Sequence, residues 1–212
     1  IFAGGEGGEG GEGGEGGEGG EGGEGGEGSA GGPSATESPG VFYTNLALML
    51  GHMEVGRALY EAGETGVAAT HMGHPAAEHL PAVRDALAQR GLDGTRERVE
   101  ALAETAGGGS DWATVEPAFE AARESIRAAM NDVAAEHRES AGFLAKVLIA
   151  MLHQARHEYE EAVEDGRFVE DHEYHDSYGF VQIGHDILAD NAAVFEAVDE
   201  SAHAELVTQY EA

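Results

Sequence analysis

The chain has 212 residues, a formal net charge of −30 at pH 7 and no cysteine. This negative field repels nucleic acid and anionic lipid surfaces, and the lack of cysteine excludes disulfides and thiolate ligands. No apolar run approaches the ~20 residues that a membrane span needs, so we predict no transmembrane segment. The composition therefore excludes nucleic-acid binding and favours cations or basic surfaces as partners.

The N-terminal part repeats Gly-Gly-Glu with a strict period of three over residues 4–28. In an extended helix of the polyproline II type, with three residues per turn, the carboxylates form one ridge and the glycines form two. Glycine ridges allow close packing against copies of the chain, so an ordered tail predicts a homo-oligomer, with Ca²⁺ as a candidate counter-ion. The alternative is a flexible linker, because glycine-rich chains lose much entropy on ordering. The candidate assembly residues are Glu6, Glu9, Glu12, Glu15, Glu18, Glu21, Glu24 and Glu27.

Three segments follow from the composition. The repeat tail covers residues 1–28, a linker rich in Gly, Pro and Ser covers 29–40, and a domain of 172 residues covers 41–212. This domain carries 32 acidic and 11 basic side chains and is long enough to bury a core. Lys146 is its only lysine. The acidic, lysine-poor pattern suits a saline habitat, and an acidic drift in a GC-rich genome explains it equally well.

Helical periodicity dominates after Val41, where apolar residues recur at intervals of three and four. We therefore predict an all-α fold, an antiparallel bundle of five to seven helices without strands. Pro75 is predicted to open a helix that ends at Gly91. The last region, from Glu173 to about Tyr210, is predicted to be helical with one inner face. That face is formed by Tyr174, Tyr178, Val181, Leu188 and Val194.

Eleven histidines give the only hint of chemistry. Several of them lie around Pro75, where a turn and the following helix would bring imidazoles and a carboxylate together. His52 and His185 are predicted on buried helix faces, as ligands of a metal or haem or as hydrogen-bonded core residues. His153 and His157 have a metal-compatible i,i+4 spacing but are predicted on a solvated face. The candidate metal ligands are His71, His74, Glu78, His79, His52 and His185.

Two functions remain open at this point. The first is an exported structural protein, filament-like or surface-layer-like, that self-assembles through its tail. The second is a periplasmic helical carrier of a divalent cation (Ca²⁺ or a transition metal) or of non-covalent haem, with the tail as a linker. No catalytic motif is present, so we predict a non-enzyme, and the start at Ile1 with no cysteine suggests a cleaved leader and a periplasmic or extracellular location. Convergence of the histidines would favour the carrier.

Overall fold

A computed structural model describes residues 32–211, and the all-α fold predicted from the sequence is confirmed there. The Gly-Gly-Glu repeat and the assembly role predicted for its glutamates lie outside the described residues. The helices, in chain order, are α1 Pro39–Ala62, α2 Thr65–His74, a π-helical segment Pro75–His79, α3 Leu80–Gln89, α4 Asp93–Gly107, α5 Trp112–Asp132, α6 Ala135–Arg138, α7 Ala141–Ala162, α8 Asp171–Asp190 and α9 Ala192–Tyr210.

Helix α1 is the centre of the bundle and packs against α2, α5, α7 and α8. Its first turn is capped by Ser38, whose hydroxyl accepts a hydrogen bond from the Val41 amide. It ends at Gly63, which adopts the left-handed conformation with φ of 88°. Phe42, Leu46 and the other large apolar residues of α1 are buried, so most of the helix circumference contributes to the core.

Helices α2 and α3 form one continuous rod, and the prediction that Pro75 opens a new helix is wrong. Pro75 and Pro81 lack an amide N–H, so each removes one α-type hydrogen bond and crowds the preceding turn. The rod accommodates this with a wider turn, in which the Leu80 amide donates to the Pro75 carbonyl five residues earlier. The rod ends before Gly91, which has a positive φ of 70° as expected for a C-terminal glycine.

Helices α7 and α8 are joined by a short β-hairpin and lie side by side. The two strands, β1 Val163–Glu164 and β2 Arg167–Phe168, are antiparallel with Val163 opposite Phe168. This hairpin is the exception to the prediction of no strands among residues 32–211, and it reverses the chain so that α8 returns along α7. Within the same residues, none of the helices combines the length and apolar character required to cross a membrane.

The last region differs from its prediction in two respects. It is divided at Asn191 into α8 and α9, and Asp199 adopts a non-helical conformation inside α9. The predicted inner face is only partly right: Leu188 is buried and Val181 and Val194 pack against the core, but Tyr178 is 49% exposed. The buried row of α8 instead contains Phe180, Ile183 and Ile187 at spacings of three and four. Extended one turn towards the N-terminus, this row reaches Asp176.

Two glycines allow α1 and α8 to approach closely. A Cβ atom added at Gly179 would lie 2.5 Å from the Gly51 carbonyl oxygen and 2.7 Å from a methyl carbon of Val55. A Cβ atom added at Gly51 would lie 2.6 Å from the Phe180 ring. Only glycine therefore fits at this crossing, which sets His52 on α1 beside Asp176 on α8.

Candidate metal centre

Five of the six histidine and glutamate residues singled out in the sequence converge in one cluster. α1 contributes His52, and the α2–α3 rod contributes His71, His74, Glu78 and His79. Asp176 of α8 completes the cluster, although the sequence analysis did not identify it. Three separate parts of the chain thus supply ionisable side chains to the middle of the bundle, where burial makes unpaired charge costly.

Asp176 holds the inner part of the cluster together. One of its carboxylate oxygens lies 2.6 Å from His52 Nδ1 and 2.8 Å from His71 Nδ1, and the other lies 3.1 Å from His74 Nδ1. The Nδ1 atoms of His52 and His74 are 3.4 Å apart. His52, His71 and Asp176 are buried, and the His74 side chain is 19% exposed. We call these four residues the inner group.

The second nitrogen of His52 faces a different set of side chains. His52 Nε2 lies 3.0 Å from His79 Nε2 and 3.4 Å from a carboxylate oxygen of Glu78. His79 is buried, whereas the Glu78 side chain is 33% exposed. We call His52, Glu78 and His79 the outer group. His52 belongs to both groups, and the Phe180 ring packs edge-on against it with 4.9 Å between ring centroids.

The π-helical segment explains why His79 reaches the cluster. In an unbroken α-helix, His74 and Glu78 lie within about 60° of His71, but His79 would lie about 80° away on the other side. The wider turn at Pro75–His79 rotates the chain less per residue and returns His79 towards the face of His71. The two prolines therefore place a third imidazole of the rod in the centre.

The neighbours of the imidazoles fix their proton positions. Asn45 Nδ2 donates to the Val41 carbonyl, so its Oδ1 faces His79 Nδ1 at 3.3 Å and accepts from it. His79 Nε2 then carries no proton, and its lone pair is directed at His52. Burial, reinforced by the charge of His52, holds the pKa of His79 well below its ordinary value. His79 is therefore neutral.

His52 carries the positive charge of the metal-free cluster. Burial disfavours that charge, but the carboxylates of Asp176 and Glu78 override burial and raise the pKa of His52 to about 9. Burial would also favour the neutral acid at Asp176, yet His52, His71 and His74 hold its pKa far below the usual range. The centre thus contains a buried ion pair of His52 and Asp176, with the neutral imidazole of His79 beside His52.

The two ring nitrogens of His71 differ in their surroundings. Its Nδ1 faces Asp176, while its buried Nε2 has no hydrogen-bond partner within residues 32–211. Burial lowers the pKa of His71, although Asp176 opposes the effect. The rings of His172 and His175 lie with their centroids 5.6 and 5.4 Å from that of His71. The concentration of imidazoles therefore continues beyond the inner group along α8.

The geometry of the inner group fits a transition-metal ion. Three imidazole nitrogens and one carboxylate oxygen are the donors that Zn²⁺, Fe²⁺ and related ions bind. With metal–ligand bonds of about 2.0–2.1 Å in a tetrahedron, neighbouring donor atoms lie about 3.3–3.4 Å apart. Four donor pairs of the inner group are separated by 2.6 to 3.4 Å, and all of its donor atoms lie within 4.8 Å of one another. The four side chains are thus close enough to share one ion after modest adjustment.

The remaining predicted histidines lie elsewhere. His185 was predicted on a buried face as a candidate ligand, but it is only half-buried and lies outside both groups, nine residues and about 13 Å along α8 from Asp176. Its ring centroid is 6.1 Å from that of Tyr210. His153 and His157 are exposed on α7, which confirms the solvated face predicted for them. The sequence analysis missed Asp176, although one pattern could have indicated it. The apolar row of Phe180, Ile183 and Ile187, extended by one turn towards the N-terminus, reaches this residue.

Comparison with protein families gives a match to the iron permease-associated 4-helix bundle domain over residues 134–212. Comparisons with curated proteins and with solved structures give no match. The matched part covers 79 of the 212 residues and contains α7, α8 and α9, including Asp176. The histidines of α1 and of the α2–α3 rod lie outside it. The C-terminal part of this chain is therefore similar to the iron permease-associated 4-helix bundle domain.

Proposed function

We propose that this protein binds a divalent transition-metal ion, with iron as the first candidate, at the inner group of His52, His71, His74 and Asp176. The observation that carries the proposal is the convergence of these four side chains from three parts of the chain. Four ionisable groups in the core are expensive unless they are paired or coordinate a metal. Binding of the ion would replace the proton-dependent ion pair of His52 and Asp176.

The donor set favours one class among the metals and cofactors that the sequence left open. Ca²⁺ takes six to eight oxygen ligands, whereas the inner group offers one carboxylate and three imidazoles. Haem needs an imidazole nitrogen that faces an open slot. The Nδ1 atoms of His52, His71 and His74 instead face Asp176 at hydrogen-bonding distance. Both observations favour a transition-metal ion.

Iron is favoured by the similarity of residues 134–212 to the iron permease-associated 4-helix bundle domain. Asp176, the carboxylate that contacts three imidazoles, lies in this part of the chain. Carboxylate and imidazole ligands together suit Fe²⁺, although Cu²⁺ and Zn²⁺ bind most such sites more tightly. Binding of iron rather than copper or zinc would thus depend on which of these ions is available to the protein.

A carrier fits the inner group better than an enzyme does. Metal sites that catalyse reactions keep a coordination position open for water or substrate, whereas four protein ligands close the inner group. We propose a periplasmic or extracellular location, where the acidic surface would attract cations before they reach the centre.

The proposal is tested by metal binding to the full chain, measured with Fe²⁺ under anaerobic conditions and with Zn²⁺, each against a competing chelator. We expect saturable binding that Asp176→Asn and His71→Gln weaken by more than about 100-fold, since changes outside the ligand set already cost 10–100-fold. The matched control is His153→Ala with His157→Ala, a pair of exposed histidines on α7 that should leave the affinity unchanged.

Circular dichroism of each variant separates a loss of ligand from a loss of fold. Asp176→Asn leaves the His52 charge without its partner, so this variant should also lose stability. His71→Gln keeps the ion pair and serves as the second ligand variant. The proposal would be overturned if the wild-type protein retained no metal in competition with the chelator. It would also be overturned if the wild-type protein and both ligand variants bound the metal with equal affinity.

A further inference from the structure

We infer that the centre holds two metal ions, an inner and an outer one, and that His52 bridges them as an imidazolate, both of its ring protons being released to solvent as the ions bind. This inference rests on the proposed function and extends it to the outer group of His52, Glu78 and His79. The two ring nitrogens of His52 face two separate sets of donors, with Asp176, His71 and His74 on one side and Glu78 and His79 on the other. An imidazolate that binds two ions through its two nitrogens holds them roughly 6 Å apart.

The outer group has the separations of a metal site. His52 Nε2 lies 3.0 Å from His79 Nε2 and 3.4 Å from a carboxylate oxygen of Glu78. Tetrahedral ligands of one transition-metal ion lie about 3.3–3.4 Å apart, so these atoms need little adjustment. Once His52 has released both ring protons, the lone pairs of His52 Nε2 and His79 Nε2 face each other, and an ion between them would bind both.

Asn45 prepares His79 to act as a ligand. Metal-binding histidines almost always donate their second ring N–H to an oxygen acceptor, which directs the other nitrogen at the ion. Asn45 Oδ1 accepts from His79 Nδ1 at 3.3 Å, and the Asn45 amide is itself held by its bond to the Val41 carbonyl at 2.9 Å. His79 therefore presents Nε2 to the outer position before any ion arrives.

The outer position is the accessible one. Glu78 is 33% exposed, and its second carboxylate oxygen lies 3.6 Å from His74 Nδ1 of the inner group. Three protein ligands leave a coordination position for water or for an incoming ligand, whereas the inner group is closed by four. An ion would thus enter and leave through the outer position, while the inner ion is held more tightly.

The number of bound ions tests the inference. The full chain is loaded with Zn²⁺, separated from weakly bound metal by a competing chelator, and analysed for zinc per chain by elemental analysis. We expect two ions in the wild-type protein and one in His79→Ala and in Glu78→Gln. His71→Gln with Asp176→Asn should also retain one, and His52→Ala should retain none. The double change at His153 and His157 is the control for exposed histidines.

Each possible result has a separate meaning. One ion in the wild-type protein, or no change on replacing His79, would overturn the inference and leave the proposed function intact. No retained ion in the wild-type protein would overturn both. Asn45→Ala gives a further test that does not remove a ligand, because it should lower the affinity for the second ion by about 10–100-fold and leave the first unchanged. Circular dichroism checks that every variant is folded.

Discussion

Glu158 is a carboxyl group whose protonation couples the fold to pH. It lies on α7 and is partly buried, and Gln154 donates a hydrogen bond to it. Burial, with a further contribution from Glu173 and Asp176, raises the pKa of Glu158 to about 8. The unfolded chain loses this proton near pH 4.5, while the folded protein keeps it to about pH 8. The free energy of unfolding therefore falls as the pH rises through this window, and the loss is complete above it.

Glu158→Gln should remove this pH dependence, since glutamine resembles the protonated acid. We expect the metal-free variant to gain stability relative to the wild-type protein as the pH rises from 4.5 to 9, by on the order of 1–2 kcal/mol because the group retains some solvent contact. Urea unfolding at several pH values gives the measurement. Glu124→Gln, which removes an exposed charge in the middle of α5, is the control. A stability difference that stays constant with pH would contradict the prediction.

The crossing of α1 and α8 relates an element of the fold to the centre. Gly179 lies one turn after Asp176, and Gly51 directly precedes His52. A Cβ atom at Gly179 would lie 2.5 Å from the Gly51 carbonyl oxygen, which belongs to the backbone and cannot move aside alone. Gly179→Ala should therefore separate the two helices, destabilise the protein by about 1–3 kcal/mol and weaken metal binding.

Gly73→Ala is the matched control for this crossing. Gly73 lies in α2 next to His74, and no atom lies within 4 Å of a Cβ built there. Gly73→Ala should stabilise the protein by up to about 1 kcal/mol, because alanine favours a helix and its Cβ meets no neighbouring atom. Urea unfolding and Zn²⁺ competition measure both variants. If both alanines changed stability in the same direction, the close crossing would not control the approach of His52 to Asp176.

The helical elements were largely predictable from the sequence because periodicity reports which residues a helix buries. Gly63 and Gly91 ended helices as their types suggested. The continuation through Pro75 was not predictable, because a proline inside a helix is accommodated only when the tertiary structure supports a wider turn. The predicted inner face correctly included Leu188, but it also included Tyr178, which is exposed, and omitted Asp176, which is buried. An aspartate in a core is stable only with partners from other helices, which no local pattern reveals.

At the scale of the molecule, the sequence identified the residue types of the centre but not their arrangement. His71, His74, Glu78 and His79 lie close together in the chain, so the sequence could suggest a site among them. His52 and Asp176 are 124 positions apart, and only the packing of α1 against α8 brings them together. The convergence of the histidines favours the carrier over the assembly protein, and the role of the tail remains a prediction.

Deletion of residues 4–28 separates the tail from the bundle. This change removes eight of the 41 acidic residues and none of the side chains of the inner and outer groups. The buried core of the described residues begins at Ala35, so the truncated chain should fold with an unchanged midpoint of unfolding and bind the same number of Zn²⁺ ions.

If the glycine ridges mediate self-association, the deletion should reduce the mass measured by sedimentation to that of a single chain. Alanine at alternate repeat glycines should have nearly the same effect, because a Cβ prevents close approach. An unchanged oligomeric state in both variants would assign the tail to a linker, whereas loss of metal binding on truncation would show that its carboxylates contribute to the centre.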